Sequence, residues 1–348
     1  MGQTNRTADE LTDLTIRIFT AAGWSRQEAE DLAEHLVLAN LSGHDSHGVG
    51  MIPAYIQAWQ DGLLSPRNRP EVRRDGAPFL VIDAKIALGQ PAAKAAVGRA
   101  IAMAGQSGVC LLNLINANHM GRIGHYAEMA AAAGMIGLFW VNVAGRPSVV
   151  ASFGARESRF GTNPHAIGIP NGAEPLILDF ATSRMAHGKA RVAFNKGERV
   201  PEGYLIDEQG KPTTDPAVVQ GARSGALLPF GDHKGAGIAI VVEILAAALA
   251  QGAIIPETPV KSWIINNLFG LIFDPARLDP NGTERERRIA LLAAYQRGAP
   301  PADGIDRVRA PGDREREVRT ERNRDGIPVD DETWRQLMAA AEAVGATF

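Results

Sequence analysis

The 348-residue sequence contains a single cysteine, Cys110, so no disulfide bond can form within the chain. This is typical of a protein from a reducing compartment. The first residues also lack a long apolar run, because Asp9, Glu10 and Asp13 interrupt it. A secretory signal peptide is therefore not expected, and the sequence predicts a cytoplasmic protein.

An excess of charge of either sign is also missing, since the formal net charge is only -3. Proteins that bind nucleic acid usually carry a clearly basic face, so we expect no nucleic-acid partner. The most membrane-like segment covers residues 235–255, but Glu243 interrupts it and many of its residues are alanine or glycine. We interpret this segment as a buried core helix and expect no membrane association.

Several well-known site motifs are absent. No segment matches G-x-G-x-x-G after a strand, and Gly188-Lys189 lacks the remainder of a P-loop. Nucleotide binding of the Rossmann or Walker type is therefore excluded. Neither H-E-x-x-H nor a paired-cysteine spacing occurs, so we expect no metal site. A metal-dependent hydrolase or lyase that uses the chain's histidines stays open as an alternative, as does a binding protein without catalytic activity.

Hydrophobic periodicity divides the chain into three parts. Residues 1–75 read as helices, and Ser25 with Glu28 forms a predicted capping box. Residues 76–275 alternate short apolar runs with alanine-rich helices, a β-α-β-α-β order that indicates an α/β sheet domain. Residues 276–348 are charged, with a predicted loop over residues 299–317 and a last helix that we expect to pack with the N-terminal helices.

His119 lies in the loop "NANHMG", after a predicted strand that ends at Ile115 and before a helix that begins near Gly124. Ligands of α/β sheets favour the carboxyl ends of strands, where helix N-termini also point. Histidine suits proton transfer because its unperturbed pKa is near neutral. His119 is therefore either a catalytic acid/base or only a hydrogen-bonding loop residue, whereas His125, inside the helix, is predicted to be structural.

Four further polar stretches are candidates for a site. Ser46 and His47 in "GHDSHGVG" could contact a substrate oxygen, or they could only cap a turn. "FGTNP" makes a turn, and "LDFATS" places polar side chains after a strand. "FGDHKGAG" places Lys234 and several glycines at a helix start, where phosphate would be favoured.

Taken together, "HDSHGVGMIPAY", "NANHMGRIGHYAEMAA", "FGTNP", "LDFATS", "GALLPFGDHKGAGIAIVVEIL" and "APGDRE" resemble, in this order, the type-2 malate/L-lactate dehydrogenase family, also called the malate/L-sulfolactate/L-lactate dehydrogenase family. The likeness is strongest to its hydroxycarboxylate dehydrogenase B branch. It implies a non-Rossmann NAD(P)-binding α/β fold with a helical domain built from the N- and C-terminal segments. It also implies a homodimer that uses NAD or NADP to interconvert a 2-hydroxycarboxylate and its 2-oxo acid.

The resemblance also implies roles for individual residues. His119 corresponds to the catalytic acid/base, as the imidazolium in reduction, and Ser46 and His47 to substrate contacts. The residues implied to bind the cofactor are Asn142, Asp179, Phe180, Ala181, Thr182, His233, Lys234, Gly235, Pro311, Gly312 and Asp313.

One position departs from the family pattern. Many relatives have an arginine shortly after Ser-His-Gly that suits a substrate carboxylate, whereas this chain has Met51. Arg146 or Arg122 could take its place, although the interpretation of each as a structural or surface residue is favoured. The substrate range is therefore open, and a reductase of a cyclic imine carboxylate (piperideine- or pyrroline-2-carboxylate) is the alternative within the family.

Overall fold

A computed structural model describes residues 2–220, 224–260 and 263–346, which form a mixed α/β fold. The helices are α1 Ala8–Ala21, α2 Arg26–Leu41, α3 Ile52–Gln60, α4 Gly89–Ser107, α5 Gly124–Ala132, α6 His187–Lys196, α7 Ala217–Gln220, α8 His233–Val242, α9 Thr283–Arg297, α10 Asp313–Asp325 and α11 Asp331–Ala343. The strands are β1 Gln3–Arg6, β2 Glu71–Gly76, β3 Phe79–Asp83, β4 Val109–Ala117, β5 Ile136–Ala144, β6 Val150–Ala151, β7 Ser158–Phe160, β8 His165–Ile169, β9 Leu176–Phe180, β10 Leu205–Ile206, β11 Pro212–Thr213, β12 Ala226–Leu227, β13 Ile265–Phe273 and β14 Ile327–Asp330.

The main sheet has the strand order β2-β3-β4-β13-β5-β8-β9. The predicted β-α-β-α-β order is confirmed as β3-α4-β4-α5-β5. Strand β13 was not predicted, yet it lies antiparallel between β4 and β5. Because β8 is antiparallel to both β5 and β9, strands β4, β5 and β9 run in the same direction. Their carboxyl ends therefore meet at one edge of the sheet.

Helix α4 can pack closely on this sheet because its buried face consists mostly of alanine. Ala93, Ala96, Ala100 and Ala104 follow the spacing of one helical face and are fully buried or nearly so. They belong to the same core cluster as Leu112 and the other inward-pointing residues of β4. This close packing brings the N-terminus of α4 against the loop that follows β4.

The N-terminal helices form a second core with the C-terminal end of the chain. Leu11, Phe19 and Leu36 share one buried cluster with Ile327 and Leu337. The capping box of α2 is confirmed. Strands β1 and β14 also pair with each other in antiparallel orientation.

A smaller sheet, also not predicted, has the order β11-β10-β12-β6-β7. Its core cluster contains Val150, Leu205 and Leu227, and Ala190 of α6 packs into it. Its strands are only two or three residues long, too short for a periodic pattern that would predict them from the sequence.

The segment predicted to be a buried core helix is helical, but the prediction of burial is wrong for one face. Helix α8 continues through a π-helical turn, Glu243–Ala247, and a 3₁₀ turn, Ala248–Ala250. Ile240, Val241 and Ile244 are 45–47% exposed. Within the described residues His233–Ala250 is the one helix long and apolar enough to cross a membrane, and 33% of that stretch is buried. The apolar residues on this face have no partner in the described part of the single chain.

The charged stretch after Pro311 was expected to be a loop through Glu317, but helix α10 begins at Asp313. None of its residues is buried, so apolar periodicity gave no signal. Ion pairs support the helix instead, among them Asp313 with Arg316, three residues apart.

Candidate active site

His119 lies where the sequence predicted it, in the loop between β4, which ends at Ala117, and α5, which begins at Gly124. Asparagines of the unpredicted strand β13 hold this loop on both sides of His119. The Oδ1 atom of Asn267 accepts a hydrogen bond from the backbone N–H of Asn116 (2.7 Å), and Oδ1 of Asn266 accepts one from that of Met120 (2.9 Å). The imidazole is therefore carried on a backbone fixed at both ends.

The ring of His119 is almost buried, with 9% of the residue exposed. Its Nδ1 atom lies 2.6 Å from the hydroxyl of Tyr55, which accepts a hydrogen bond from Nε2 of Gln90 (2.7 Å). The Nε2 atom of His119 makes no hydrogen bond within the described residues and is not fully enclosed. This nitrogen can therefore exchange a proton with a bound molecule.

The fold brings Ser46 and His47 to His119. The rings of His47 and His119 are stacked, with centroids 5.6 Å apart and planes inclined by 21°. The Oγ atom of Ser46 lies 3.0 Å from Nδ1 of His47. Helix α6 covers this pair so closely that a Cβ atom at Gly188 would lie 2.6 Å from Cβ of Ser46.

Both histidines of the stack are neutral at neutral pH. Burial is the main reason that the pKa of His119 is lowered to about 3 and that of His47 to about 4. The positive charge of Arg146 adds to this effect at His119, and that of Arg191 adds to it at His47. Burial therefore keeps the ring of His119 neutral in the free protein, and the imidazolium expected during reduction stays a prediction. A bound anion would be needed to raise its pKa.

His125 occupies a separate buried cluster, as its predicted structural role requires. Its ring centroid lies 4.7 Å from that of His35, whose Nε2 accepts a hydrogen bond from the backbone N–H of Arg122. Burial lowers the pKa of His125 to about 4 and that of His35 well below its usual value. These rings fix the start of α5 without facing His119.

The buried histidines predict acid lability. The pKa of His119 and that of His125 are lower in the folded than in the unfolded chain, so between about pH 6.5 and 4 the unfolded chain binds more protons. Stability is therefore retained above pH 6.5 and decreases below it, by up to about 1.4 kcal/mol per pH unit for each histidine. Thermal unfolding from pH 8 to pH 4.5 measures this, and His125→Gln should reduce the decrease. A Tm that stays constant down to pH 4.5 would contradict the prediction.

The two arginines considered as partners of the substrate carboxylate differ in their burial and in their contacts. Arg122 is buried, binds both carboxylate oxygens of Glu128 and lies 3.6 Å from Asp179, so it is a structural residue. Arg146 is half-buried just beyond the end of β5, and its charge acts on His119. Met51, at the position of the missing arginine, packs against the N-terminal core.

A buried polar network, not predicted from the sequence, lies next to the His119 loop. The Glu243 carboxylate, in the π-helical turn, accepts hydrogen bonds from Nδ2 of Asn142 (3.0 Å) and Nδ2 of Asn163 (3.1 Å). Asn142 in turn accepts one from Nδ2 of Asn267 (2.7 Å). The available signal was two adjacent asparagines in an apolar strand, where this residue type is uncommon. Asn142, implied to bind the cofactor, is thus fully buried and bonded to protein groups.

Several other implied cofactor residues also make hydrogen bonds within the protein. A carboxylate oxygen of Asp179 accepts a hydrogen bond from the backbone N–H of Gly124 (2.9 Å) at the start of α5. The hydroxyl of Thr182 donates to the carbonyl of Thr162 (3.0 Å). Burial raises the pKa of Asp179, although Arg122 opposes this shift.

The motif Pro311-Gly312-Asp313 lies at the other end of β9. The carbonyl of Pro311 accepts a hydrogen bond from the backbone N–H of Ile177, and Asp313 binds the guanidinium of Arg297. Phe180, at the carboxyl end of this strand, lies 5.3 Å from Phe230 between ring centroids. The motif is therefore separated from the carboxyl edge by most of the strand.

The start of α8 is the most open of the implied cofactor positions. His233 and Lys234 are exposed, while Ala181 is half-buried and Gly235 is buried under the carbonyl groups of Phe230 and Thr182. A cleft of about 330 Å³ adjoins this helix end; residues 152–156, 209–210 and 228–229 and Asp232 contribute to its lining. Within the described ranges, no group of three acidic, histidine or cysteine side chains is arranged to hold a metal ion.

Comparison with known proteins gives the family. The model of the malate/L-lactate dehydrogenase family matches residues 7–338, nearly the whole chain. The chain belongs to this family. Family membership makes it an oxidoreductase of the dehydrogenase type.

Three relatives of the family illustrate its range. Hydroxycarboxylate dehydrogenase B of Escherichia coli (strain K12) is 39% identical over 97% of this chain and 94% of its own length. A Delta(1)-pyrroline-2-carboxylate/Delta(1)-piperideine-2-carboxylate reductase of Pseudomonas syringae pv. tomato is 39% identical over 70% of each chain. The solved structure of sulfolactate dehydrogenase from Methanocaldococcus jannaschii superposes with a TM-score of 0.86 at 32% identity, covering 99% of this chain and 98% of that one. The mixed α/β fold is therefore shared with solved members of the family.

Proposed function

We propose that this protein interconverts a 2-hydroxycarboxylate and its 2-oxo acid by hydride transfer, with NAD or NADP as cofactor and His119 as proton donor and acceptor. The proposal rests mainly on the His119 imidazole, which Tyr55 holds at Nδ1 and whose Nε2 has no hydrogen-bond partner among the described residues. The likeness to hydroxycarboxylate dehydrogenase B supports the substrate class. We further propose that the protein is cytoplasmic.

The nicotinamide, when bound, donates or accepts the hydride. In the oxidative direction the ring of His119, neutral in the free protein, takes the hydroxyl proton of the substrate, and the charge of the substrate carboxylate raises its pKa toward the working pH. In the reductive direction the substrate carboxylate raises that pKa by its charge, so that the protonated ring can donate to the carbonyl oxygen. Ser46 and His47 orient the substrate oxygens. Arg146 pairs with the carboxylate in place of the arginine missing at Met51.

The residues at the start of α8 provide positive charge suited to the phosphate groups of a dinucleotide. Lys234 and His233 are exposed at the positive end of the helix dipole, where phosphate groups are favoured. The adjoining cleft provides space beside Phe153, and Arg156 in its lining is a cation suited to a 2′-phosphate. The sheet has neither a glycine fingerprint nor an all-parallel order, so we propose a non-Rossmann mode of binding. The buried Asn142 and Thr182 then position the backbone around the cofactor.

A second candidate function is reduction of a cyclic imine carboxylate. The relative from Pseudomonas syringae, at 39% identity, favours it. Such a substrate also carries a carboxylate, and an imine nitrogen takes the place of the carbonyl oxygen.

A substrate panel tests both functions. Purified protein is given NADH or NADPH with 2-oxo acids and, separately, with piperideine- and pyrroline-2-carboxylate, and loss of the reduced cofactor's absorbance is followed. We expect turnover of an oxo acid that a chelator does not change. Turnover of imines only would transfer the assignment to the second candidate. Activity without NAD(P) that a chelator abolishes would indicate a metal-dependent hydrolase, and cofactor binding without turnover a binding protein.

We also propose a homodimer that covers the exposed apolar face of α8, formed by Ile240, Val241 and Ile244. Exposed contiguous apolar surface on a helix is typical of an interaction site. The buried carboxylate of Glu243 on the opposite side binds this helix to the sheet, which favours a protein partner over a lipid one.

Charge substitutions test this dimer. Ile240→Asp or Ile244→Asp should weaken association by at least about 30-fold in Kd, because each would bury an unpaired carboxylate at the interface. Sedimentation velocity over a range of protein concentrations measures the change. Val72→Asp, at a similarly exposed residue of the edge strand β2, is the control. A protein that is monomeric before substitution would contradict the proposal.

A further inference from the structure

Gln90, Tyr55 and His119 form a buried line of hydrogen bonds. Gln90 is fully buried, and 3% of Tyr55 is exposed. The line runs from Nε2 of Gln90 to the Tyr55 hydroxyl (2.7 Å) and from there to Nδ1 of His119 (2.6 Å). The remaining polar atom of the amide, Oε1 of Gln90, is buried without a hydrogen-bond partner in the described part of the chain.

The direction of these bonds fixes the position of the proton on His119. The hydroxyl of Tyr55 has one proton, and burial raises its pKa, so it stays protonated. Because the hydroxyl accepts from Gln90, its proton is donated to Nδ1 of His119. A neutral ring then has its proton on Nε2. In that tautomer, Nε2 has no free lone pair with which to accept a proton from a substrate hydroxyl.

The opposite tautomer needs the opposite direction. With the proton on Nδ1, His119 donates to the Tyr55 oxygen, and the hydroxyl must donate to another acceptor. The side-chain amide of Gln90 can rotate by 180°, which exchanges the positions of its oxygen and nitrogen. After this rotation Oε1, which has no hydrogen-bond partner among the described residues, can accept the hydrogen bond from the Tyr55 hydroxyl. Either orientation leaves one buried amide atom unpartnered, so the two should be close in free energy.

We propose that Gln90, acting through Tyr55, sets the tautomer of His119 and that turning its amide switches the ring between a resting Nε2–H form and a working Nδ1–H form. This inference rests on the proposed function of His119. In the working form the substrate O–H bond breaks and its proton goes to the lone pair of Nε2. Because Nδ1 keeps its own proton, His119 becomes the imidazolium, and a bound oxidised nicotinamide would accept the hydride from the carbon that carried the hydroxyl. Reduction is the reverse, with the Nε2 proton passing to the carbonyl oxygen.

Other groups around the ring act by charge and do not form part of this line. They are His47, stacked on the ring, Arg146 beyond β5, and His35 of α2. The line is thus the one hydrogen-bonded route to Nδ1 among the described residues. Gln90 and Tyr55 are positioning residues, since neither needs to touch the substrate.

Two substitutions at Gln90 lock opposite tautomers. Gln90→Glu places a carboxylate, which only accepts, beside Tyr55 and should fix His119 in the Nδ1–H form. Gln90→Met removes both polar atoms, so the Tyr55 hydroxyl donates to Nδ1 and the Nε2–H form is fixed. The ¹⁵N chemical shifts of the His119 ring in histidine-labelled free protein report the tautomer without any turnover.

We expect Nε2–H in the parent protein and in Gln90→Met, and Nδ1–H in Gln90→Glu. For hydroxy-acid oxidation, kcat should decrease at least tenfold in Gln90→Met. Gln90→Glu should retain activity and shift the acid limb of its pH profile upward. In Tyr55→Phe the two Gln90 substitutions should no longer give different tautomers. Gln57→Glu, the same change on the exposed side of α3, should change neither tautomer nor profile.

The same tautomer in both Gln90 variants, or full activity of Gln90→Met, would overturn the proposal that Gln90 sets the tautomer of His119 through Tyr55. If Gln90→Met does not fold, an unchanged Nε2–H tautomer in Gln90→Glu would contradict the proposal; if Gln90→Glu does not fold, a full kcat in Gln90→Met would contradict it. Absence of turnover in the parent protein would instead reject the proposed function. The tautomer prediction would still be tested separately, because the ¹⁵N measurement uses the free protein.

Discussion

Replacement of His119 by glutamine should lower kcat by about 10²–10⁴-fold in both directions of the reaction, the usual effect of losing a general acid or base. Glutamine retains a polar side chain but cannot transfer a proton at neutral pH. The loop should keep its backbone, since Asn266 and Asn267 hold it by hydrogen bonds to main-chain N–H groups on either side. Steady-state kinetics with saturating cofactor and substrate measures the change, and cofactor affinity should stay close to that of the parent.

Two other histidines serve as comparisons. His125→Gln should leave kcat within a few-fold of the parent, because His125 packs against His35 and does not face the site. His47→Gln tests the assignment of roles, since the rings of His47 and His119 are stacked. If His47→Gln removes proton transfer and His119→Gln does not, the two roles are exchanged. If neither reduces kcat by more than a few-fold, acid/base catalysis by these two histidines is excluded.

The sequence predicted the elements with a periodic or capped pattern. The order β3-α4-β4-α5-β5 and the capping box of Ser25 follow from local residue spacing, and both are confirmed. Strand β13 was missed because Asn266, Asn267 and Gly270 interrupt its apolar run. These asparagines are buried only because the strand is inserted between β4 and β5, a long-range pairing that no local pattern encodes.

Individual residues of the candidate site could be predicted from the sequence, whereas the hydrogen bonds and contacts between them could not. Motifs quoted from the sequence contain Ser46, His47 and His119, and the fold brings these three together. Tyr55 ends the motif "HDSHGVGMIPAY" but was assigned no role, because an aromatic residue of a helix is usually a packing residue, and Gln90 lies outside every motif, as a polar residue at a helix start. Their importance comes from burial and from their distance to His119. The lowered pKa of His119 could not be predicted from the sequence either, because desolvation depends on the packed structure.

Gly89→Ala should have the second large effect, although residue 89 carries no functional group. Gly89 is the first residue of α4, and an added Cβ atom would overlap the carbonyl oxygens of Asn118 and His119. Both oxygens belong to the backbone, so no side-chain rotation relieves the overlap. Helix α4 or the His119 loop must move, at a cost of about 1–3 kcal/mol in stability. A displacement of the imidazole by about 1 Å should lower kcat by about 10²-fold.

The matched control lies in the same helix. Gly98→Ala makes the same change where the added Cβ atom meets nothing within 4 Å, and it should stabilise the protein by up to about 1 kcal/mol through helix propensity. Denaturant unfolding and kcat are measured for both variants. Unchanged kcat in Gly89→Ala would mean that the contact between α4 and the loop does not position His119. Equal losses in both variants would indicate a general effect on α4. A loss confined to Gly89→Ala would show that the start of α4 positions the acid/base, since the two substitutions are chemically identical.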